Sequence, residues 1–230
     1  MASGRAALLA LLAALSTALA AAPVAAAAGA PVAAPGMPIL QDAGTTRCTL
    51  GYAARTSAGE RLAVTAGHCG KTGDPVFDRG RRIIGRYIAV QPDDLDTATY
   101  GYSLIQVRPD VALSAWLTPT FAIRGQAQAA VGDDVCLFGT TSGMKCAAVA
   151  TITRDAGTLT GSLSAGGDSG GPIVRMRDHA LVGILIGHDP DTDTTQFEPV
   201  VTIVTAAAAA GAVGTGFGPV IDMPSPATTS

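Results

Sequence analysis

Aromatic residues make up only 4% of the 230-residue chain and charged residues only 14%, against a hydrophobic fraction of 48%. Alanine and small aliphatics therefore carry the apolar content, and 17 of the first 35 residues are alanine. That concentration at one end excludes reading the positive mean hydropathy as the mark of a membrane-embedded body. A basic surplus is also missing: 15 Lys and Arg face 18 Asp and Glu, and only Lys71 and Lys145 are lysines. With a net charge of -3 there is nothing to neutralise a phosphate backbone, so nucleic acid is excluded as a partner. Histidines are few and scattered, at positions 68, 179 and 188, and no CxxC spacing occurs, which argues against a metal site; no cofactor is expected. No stretch before residue 198 shows a convincing 3.6-residue period, which disfavours a parallel α/β architecture.

The N-terminal alanine excess reads as an export signal over residues 1–28. Arg5 supplies the early positive charge, Ala6 to Leu19 the apolar stretch, and small residues in A-x-A spacing the cleavage site. Ser16, Thr17 and Pro23 interrupt it too often for a membrane anchor, so no span is expected once the signal is removed. Residues 29–41, rich in Ala, Pro and Gly, hold few large apolar groups and read as a flexible lead-in or short pro-segment. Roughly 190 residues remain, enough for one globular unit or for two small β domains sharing an interface.

Cys48, Cys69, Cys136 and Cys146 are an even set in an exported chain, and three pairings are possible. Proximity along the chain favours Cys48 with Cys69 and Cys136 with Cys146. From Cys48 onward, short apolar runs such as RLAVTA, YSLIQV and ALVGILIG alternate with Gly, Asp, Pro and Thr, which predicts strands and an all-β body. Only Pro199 to Ala210 reads as a helix, with Pro in its first turn and Gly211 beyond its end. Residues 214–230 read as a frayed tail.

Two strings carry chemistry: TAGHC at Thr65 to Cys69 and GDSGGP at Gly167 to Pro172. A serine hydroxyl becomes a useful nucleophile only when a neighbouring base takes its proton, so Ser169 and His68 make a candidate pair. Gly167 and Ser169 can aim two backbone N–H groups at a developing oxyanion. Together the strings resemble the histidine and serine motifs of the trypsin-like (chymotrypsin-fold) serine proteases, in particular their secreted bacterial members. The resemblance spans Cys48 to Ala210. It implies two orthogonal antiparallel β-barrels with a short C-terminal helix, His68 on a barrel over residues 42–118 and Ser169 on a second over 119–213. It implies that Asp168 is buried and structural. It also implies a secreted, monomeric endopeptidase acting on peptide or protein substrates through a Ser169 acyl-enzyme, with His68 as general base.

The family's third member, an aspartate opening an apolar strand, falls on Gly101 in GYSLIQV. Its usual serine partner falls on Ile186. Asp93, Asp94 and Asp96 lie nearby, and Asp96, 28 residues after His68, is taken as the substitute carboxylate. Gly101 and Ile186 together also motivate a rival reading: a pseudoprotease that keeps the cleft as a binding module. Leu163, six residues before Ser169, falls where such enzymes place the floor of the specificity pocket, which implies small or apolar side chains before the cleaved bond. A third reading, an esterase built on a GxSxG elbow, fits GDSGG loosely but lacks the helix that should follow.

Overall fold

The computed structural model describes residues 29–41, 46–93 and 100–221. The expected export segment and residues 222–230 lie outside the described residues. The apolar runs fold as strands. In the first half these are β1 (Val32–Ala33), β2 (Pro38–Gln41), β3 (Thr46–Thr49), β4 (Tyr52–Arg55), β5 (Arg61–Ala66), β6 (Pro75–Phe77), β7 (Ile83–Val90), β8 (Tyr102–Val107) and β9 (Ala112–Leu113). The connection and second half hold β10 (Trp116–Thr118), β11 (Phe121–Ala122), β12 (Gly125–Gln126), β13 (Asp134–Gly139), β14 (Gly143–Ile152), β15 (Gly157–Thr160), β16 (Pro172–Arg175), β17 (Ala180–Asp189) and β18 (Thr194–Pro199). Helix α1 (Val200–Ala209) and β19 (Gly218–Pro219) follow as the last elements of the described residues.

Among the described residues two large sheets result, beside the two-stranded pairings β1–β9 and β10–β11. The first runs β19-β4-β5-β8-β7-β6-β2-β3 and stays open between its edges. The second runs β17-β16-β13-β14-β15-β18 and closes through the β17–β18 pairing, with β12 added beside β17. Val135, Leu137, Val149, Leu159, Ile173 and Phe197 fill the closed barrel. The Phe197 ring lies against Gly157 and Gly183, where any side chain would collide with it. A larger cluster, from Ile39 and Leu104 to Ile184 and Val200, joins the open sheet to its partner and to α1. Close-packed burial on both faces explains why these strands read as apolar runs without alternation.

The ends differ from the sequence reading. Residues 29–41 are built into the fold: β1 pairs with β9, β2 pairs with β3 and β6, and Ala33 and Ile39 are fully buried. Few large side chains are needed there, because backbone pairing supplies the attachment. Likewise β19, inside the expected tail, pairs with β4 and returns the C-terminal segment to the first sheet. Helix α1 starts after Pro199, and Gly211 follows its end at a positive φ of 65°, as a C-terminal glycine does. Among the described residues no helix is long and apolar enough to cross a membrane.

Candidate active site

Strand β5 ends in a single tight turn, Gly67–Cys69, which sets His68 at the surface with 43% of its side chain exposed. Three attachments fix that turn. Cys69 is bonded to Cys48 at the end of β3, Tyr87 Oη donates to the Cys69 carbonyl at 2.8 Å, and Ser103 Oγ donates to the Gly67 carbonyl at 3.1 Å. The imidazole is thus held by its backbone before any partner is considered.

His68 Nδ1 lies 2.6 Å from Asp93 Oδ2, and the Asp93 side chain is only 3% exposed. This carboxylate is neither at Gly101 nor at Asp96, which lies outside the described residues. Asp93 comes from the connection after β7, which crosses two glycines. A Cβ on Gly67 would come within 2.9 Å of Asp93 N, and one on Gly101 within 2.7 Å of the same nitrogen; both would also strike the Gln91 carbonyl. Gly67 N–H donates to the Gly101 carbonyl at 3.0 Å, so the two glycines form one floor beneath the Gln91–Asp93 backbone. The missing side chain at Gly101 is what lets the acid reach His68. Ile186 is buried in apolar surroundings and offers Asp93 no hydrogen bond.

Ser169 reaches the same spot from the second barrel. Its carbonyl accepts from Thr49 N–H at 2.8 Å and lies 3.7 Å from the Cys69 sulfur, next to the turn that carries His68. Gly170 makes the approach possible: its φ is +85°, and a Cβ there would lie 2.5 Å from the Thr49 carbonyl and 2.9 Å from Ala66 N. Gly170 N–H then donates to the Leu185 carbonyl at 2.7 Å, anchoring the serine turn on β17. Asp168, fully buried, accepts from Thr141 N–H at 2.7 Å, from Ala165 N–H at 2.8 Å, and from the backbone and hydroxyl of Ser142.

Solved structures share this arrangement of barrels. Cellulomonas bogoriensis chymotrypsin superposes with a TM-score of 0.62 at 23% identity, over 76% of this chain and 96% of its own. The fold is chymotrypsin-like. Nocardiopsis protease superposes with a TM-score of 0.62 at 20% identity, covering 76% and 95% of the two chains. Thermobifida fusca protease A gives 0.61 at 22% identity, covering 78% and 96%. The sequence by itself matches no family model and no curated protein.

Within this chymotrypsin-like frame both disulfides take the expected pairing, Cys48 with Cys69 and Cys136 with Cys146. His68 stands within 4.8 Å of the sulfurs of Cys48 and Cys69, but those sulfurs are bonded to each other and are not thiolate ligands. Leu163 packs on the second barrel's core, and its N–H donates to the buried Thr195 hydroxyl at 2.9 Å. His179 and His188 are half-buried: the first stacks on Phe121 at 4.1 Å, and the second meets the Thr194 carbonyl through Nδ1 at 3.0 Å.

Sequence reasoning missed a set of hydroxyls around the serine turn. Thr141 Oγ1 donates to the Gly166 carbonyl at 2.9 Å and accepts from Arg47 Nη2 at 3.0 Å. Thr49 Oγ1 and Thr140 Oγ1 reach the Gly167 carbonyl at 2.9 and 3.1 Å. The carbonyls on both sides of Gly167 are therefore held, by residues of both barrels. The string TTSG, inside the loop closed by Cys136 and Cys146, was the available signal.

Proposed function

We propose that this chain is an exported serine endopeptidase, in which Ser169 Oγ attacks the carbonyl carbon of a peptide bond. His68 takes the hydroxyl proton at Nε2 and passes it to the leaving amine as the C–N bond breaks. Water, activated by the same imidazole, then hydrolyses the acyl-enzyme and returns the proton to Ser169. Asp93, accepting from Nδ1–H, fixes the tautomer that leaves Nε2 free and stabilises the imidazolium. The observation that carries this reading is the 2.6 Å contact of Asp93 with His68, in the same tight turn as Cys69, whose sulfur lies 3.7 Å from the Ser169 carbonyl.

A trans peptide points its C=O and N–H in opposite directions. With the Gly166 carbonyl tied to Thr141, Gly167 N–H faces the other way, available with Ser169 N–H for the substrate oxyanion. The rival reading as a binding module drew on Gly101, and that glycine now favours the enzyme, because it admits Asp93. No carboxylate lies at Leu163, which supports a preference for small or apolar side chains before the cleaved bond.

The deciding experiment is labelling with a fluorophosphonate, which phosphonylates an activated serine hydroxyl and releases fluoride. The processed, folded protein should label at Ser169, and Ser169→Ala should not. Folded protein that stays unlabelled refutes the reading. Thr141→Val should keep the fold but lower kcat by about 10-fold with little change in KM, less than the 10²–10³ lost when an oxyanion donor is deleted outright. Steady-state kinetics on a peptide ester would check it, and an unchanged kcat would remove Thr141 from the oxyanion machinery.

A further inference from the structure

A second buried carboxyl group is left unused by the mechanism above. Glu198, on β18, is 1% exposed, and its Oε2 has no hydrogen-bond partner. Gln91, two residues before Asp93, lines one cavity with Asp155 and with Val201, three residues after Glu198. Tyr52 on β4 and Tyr102 on β8 each feel its charge, and it in turn feels Asp93 and, from the β14–β15 turn, Asp155. Tyr102 follows Gly101, the residue on which the Asp93 backbone rests. Asp93 has one oxygen on His68, while its other, Oδ1, is buried and unpartnered. Of the buried side-chain atoms left without a partner among the described residues, Tyr52 Oη, Asp93 Oδ1 and Glu198 Oε2 thus belong to one electrostatic cluster.

Two buried carboxylate oxygens without donors, in reach of each other's charge, lack one proton between them. Ionising both would set two like charges together out of water, at a cost that proteins avoid by keeping one group neutral. Burial first, and the charges of Asp93 and Asp155 after it, push the Glu198 carboxyl up to about 8. At neutral pH it is an acid with a hydrogen to give, whereas Asp93 is already committed as an acceptor to His68.

We propose that Glu198 is a positioning residue for the triad. Its carboxylic proton reaches Asp93 Oδ1 across one bridging water and holds Asp93 against His68 Nδ1. It takes the place of the side chain that Ile186 does not supply. When Glu198 ionises, the donor is lost, the two carboxylates repel, and Asp93 is pushed off the imidazole. The titratable groups facing Glu198 are Tyr52, Tyr102, Asp93 and Asp155, and burial raises both tyrosines above their usual range, so neither loses its proton ahead of Glu198. The inference rests on His68 and Asp93 acting as proposed above.

The test is the pH dependence of kcat and of fluorophosphonate labelling, from about pH 6 to about pH 10, for the wild type, Glu198→Gln and Glu198→Leu. The wild type should lose roughly 10-fold in kcat across the alkaline half of that range, with KM little changed. Glu198→Gln, whose amide donates at every pH, should match the wild type near pH 7 within about 2-fold and show no alkaline loss. Glu198→Leu should be slow at every pH, by about 10-fold or more, because no donor remains. The downfield proton resonance of the His68–Asp93 bridge should fade above the Glu198 titration in the wild type and persist in Glu198→Gln. If Glu198→Leu does not fold, the comparison with Glu198→Gln decides alone. A wild type without alkaline loss, or a Glu198→Gln that loses rate as the wild type does, overturns the assignment of Glu198. A folded wild type that never labels instead refutes the protease reading beneath it.

Discussion

Asp93→Asn should lower kcat by about 10³–10⁴-fold with KM little changed, the size of loss known when the acid of a Ser-His-Asp triad becomes its amide. An asparagine at this place can present its NH2 group to Nδ1, which selects the tautomer carrying its hydrogen on Nε2. The imidazole then faces Ser169 with a donor where a base is needed. It also loses the negative charge that compensates the imidazolium. The fold should survive, because Asp93 bonds a surface histidine and the neighbouring backbone stays seated on Gly67 and Gly101. Kinetics and thermal melting of the same preparation check both halves. A folded Asp93→Asn with wild-type kcat would show that His68 draws no orientation from this contact.

Gly101→Asp is expected to be the change most damaging to stability, although it restores the residue that the resembled family carries there. The new Cβ would sit 2.6 Å from the Pro92 carbonyl carbon and 2.7 Å from Asp93 N, both backbone atoms that cannot swing aside. Overpacking of this kind costs about 1–3 kcal/mol, and adding a second carboxylate beside buried Asp93 raises the cost further. To accommodate it the Gln91–Asp93 segment must lift, which carries Asp93 away from His68. We expect stability to fall by about 3 kcal/mol or more and kcat by at least about 100-fold. Denaturant unfolding and ester hydrolysis would measure these, and a variant as stable and active as the wild type would mean that the segment does not rest on Gly101. Such an outcome would also reopen the alignment in which that position is the natural home of the acid.

His68 and Ser169 were legible because each sits in a string whose neighbours are constrained for local reasons. Gly170 must take a positive φ between Thr49 and Ala66, and Cys69 must stand beside the histidine to bond Cys48. Asp93 had no such signature. It is one of three aspartates within four residues of polar connection, and nothing local distinguishes the one that reaches the imidazole. What selects it is a tertiary contact, the passage of the Gln91–Asp93 backbone over Gly67 and Gly101, two glycines distant in sequence. Gly101 was therefore visible as a departure, but the room its missing side chain leaves for the Gln91–Asp93 backbone was not. The lead-in over residues 29–41 was misread for a related reason: strand pairing with β3, β6 and β9 needs backbone, and alanine-rich composition conceals backbone pairing. Strand content, helix α1 and both disulfides depended on short-range patterns and were readable.

The placement of Asp93 on a connection between β7 and β8 separates two properties that an acid on a strand would weld together. A strand residue owes its position to the register of the whole sheet, so moving its side chain means moving its neighbours in β5 and β7 as well. Here β8 is paired in register with β5 and β7, and Asp93 instead owes its place to the track left by two glycines. Segments of different length or composition could be grafted between Val90 and Tyr102 to present the acid at other heights, or to withhold it, over a β framework left unchanged.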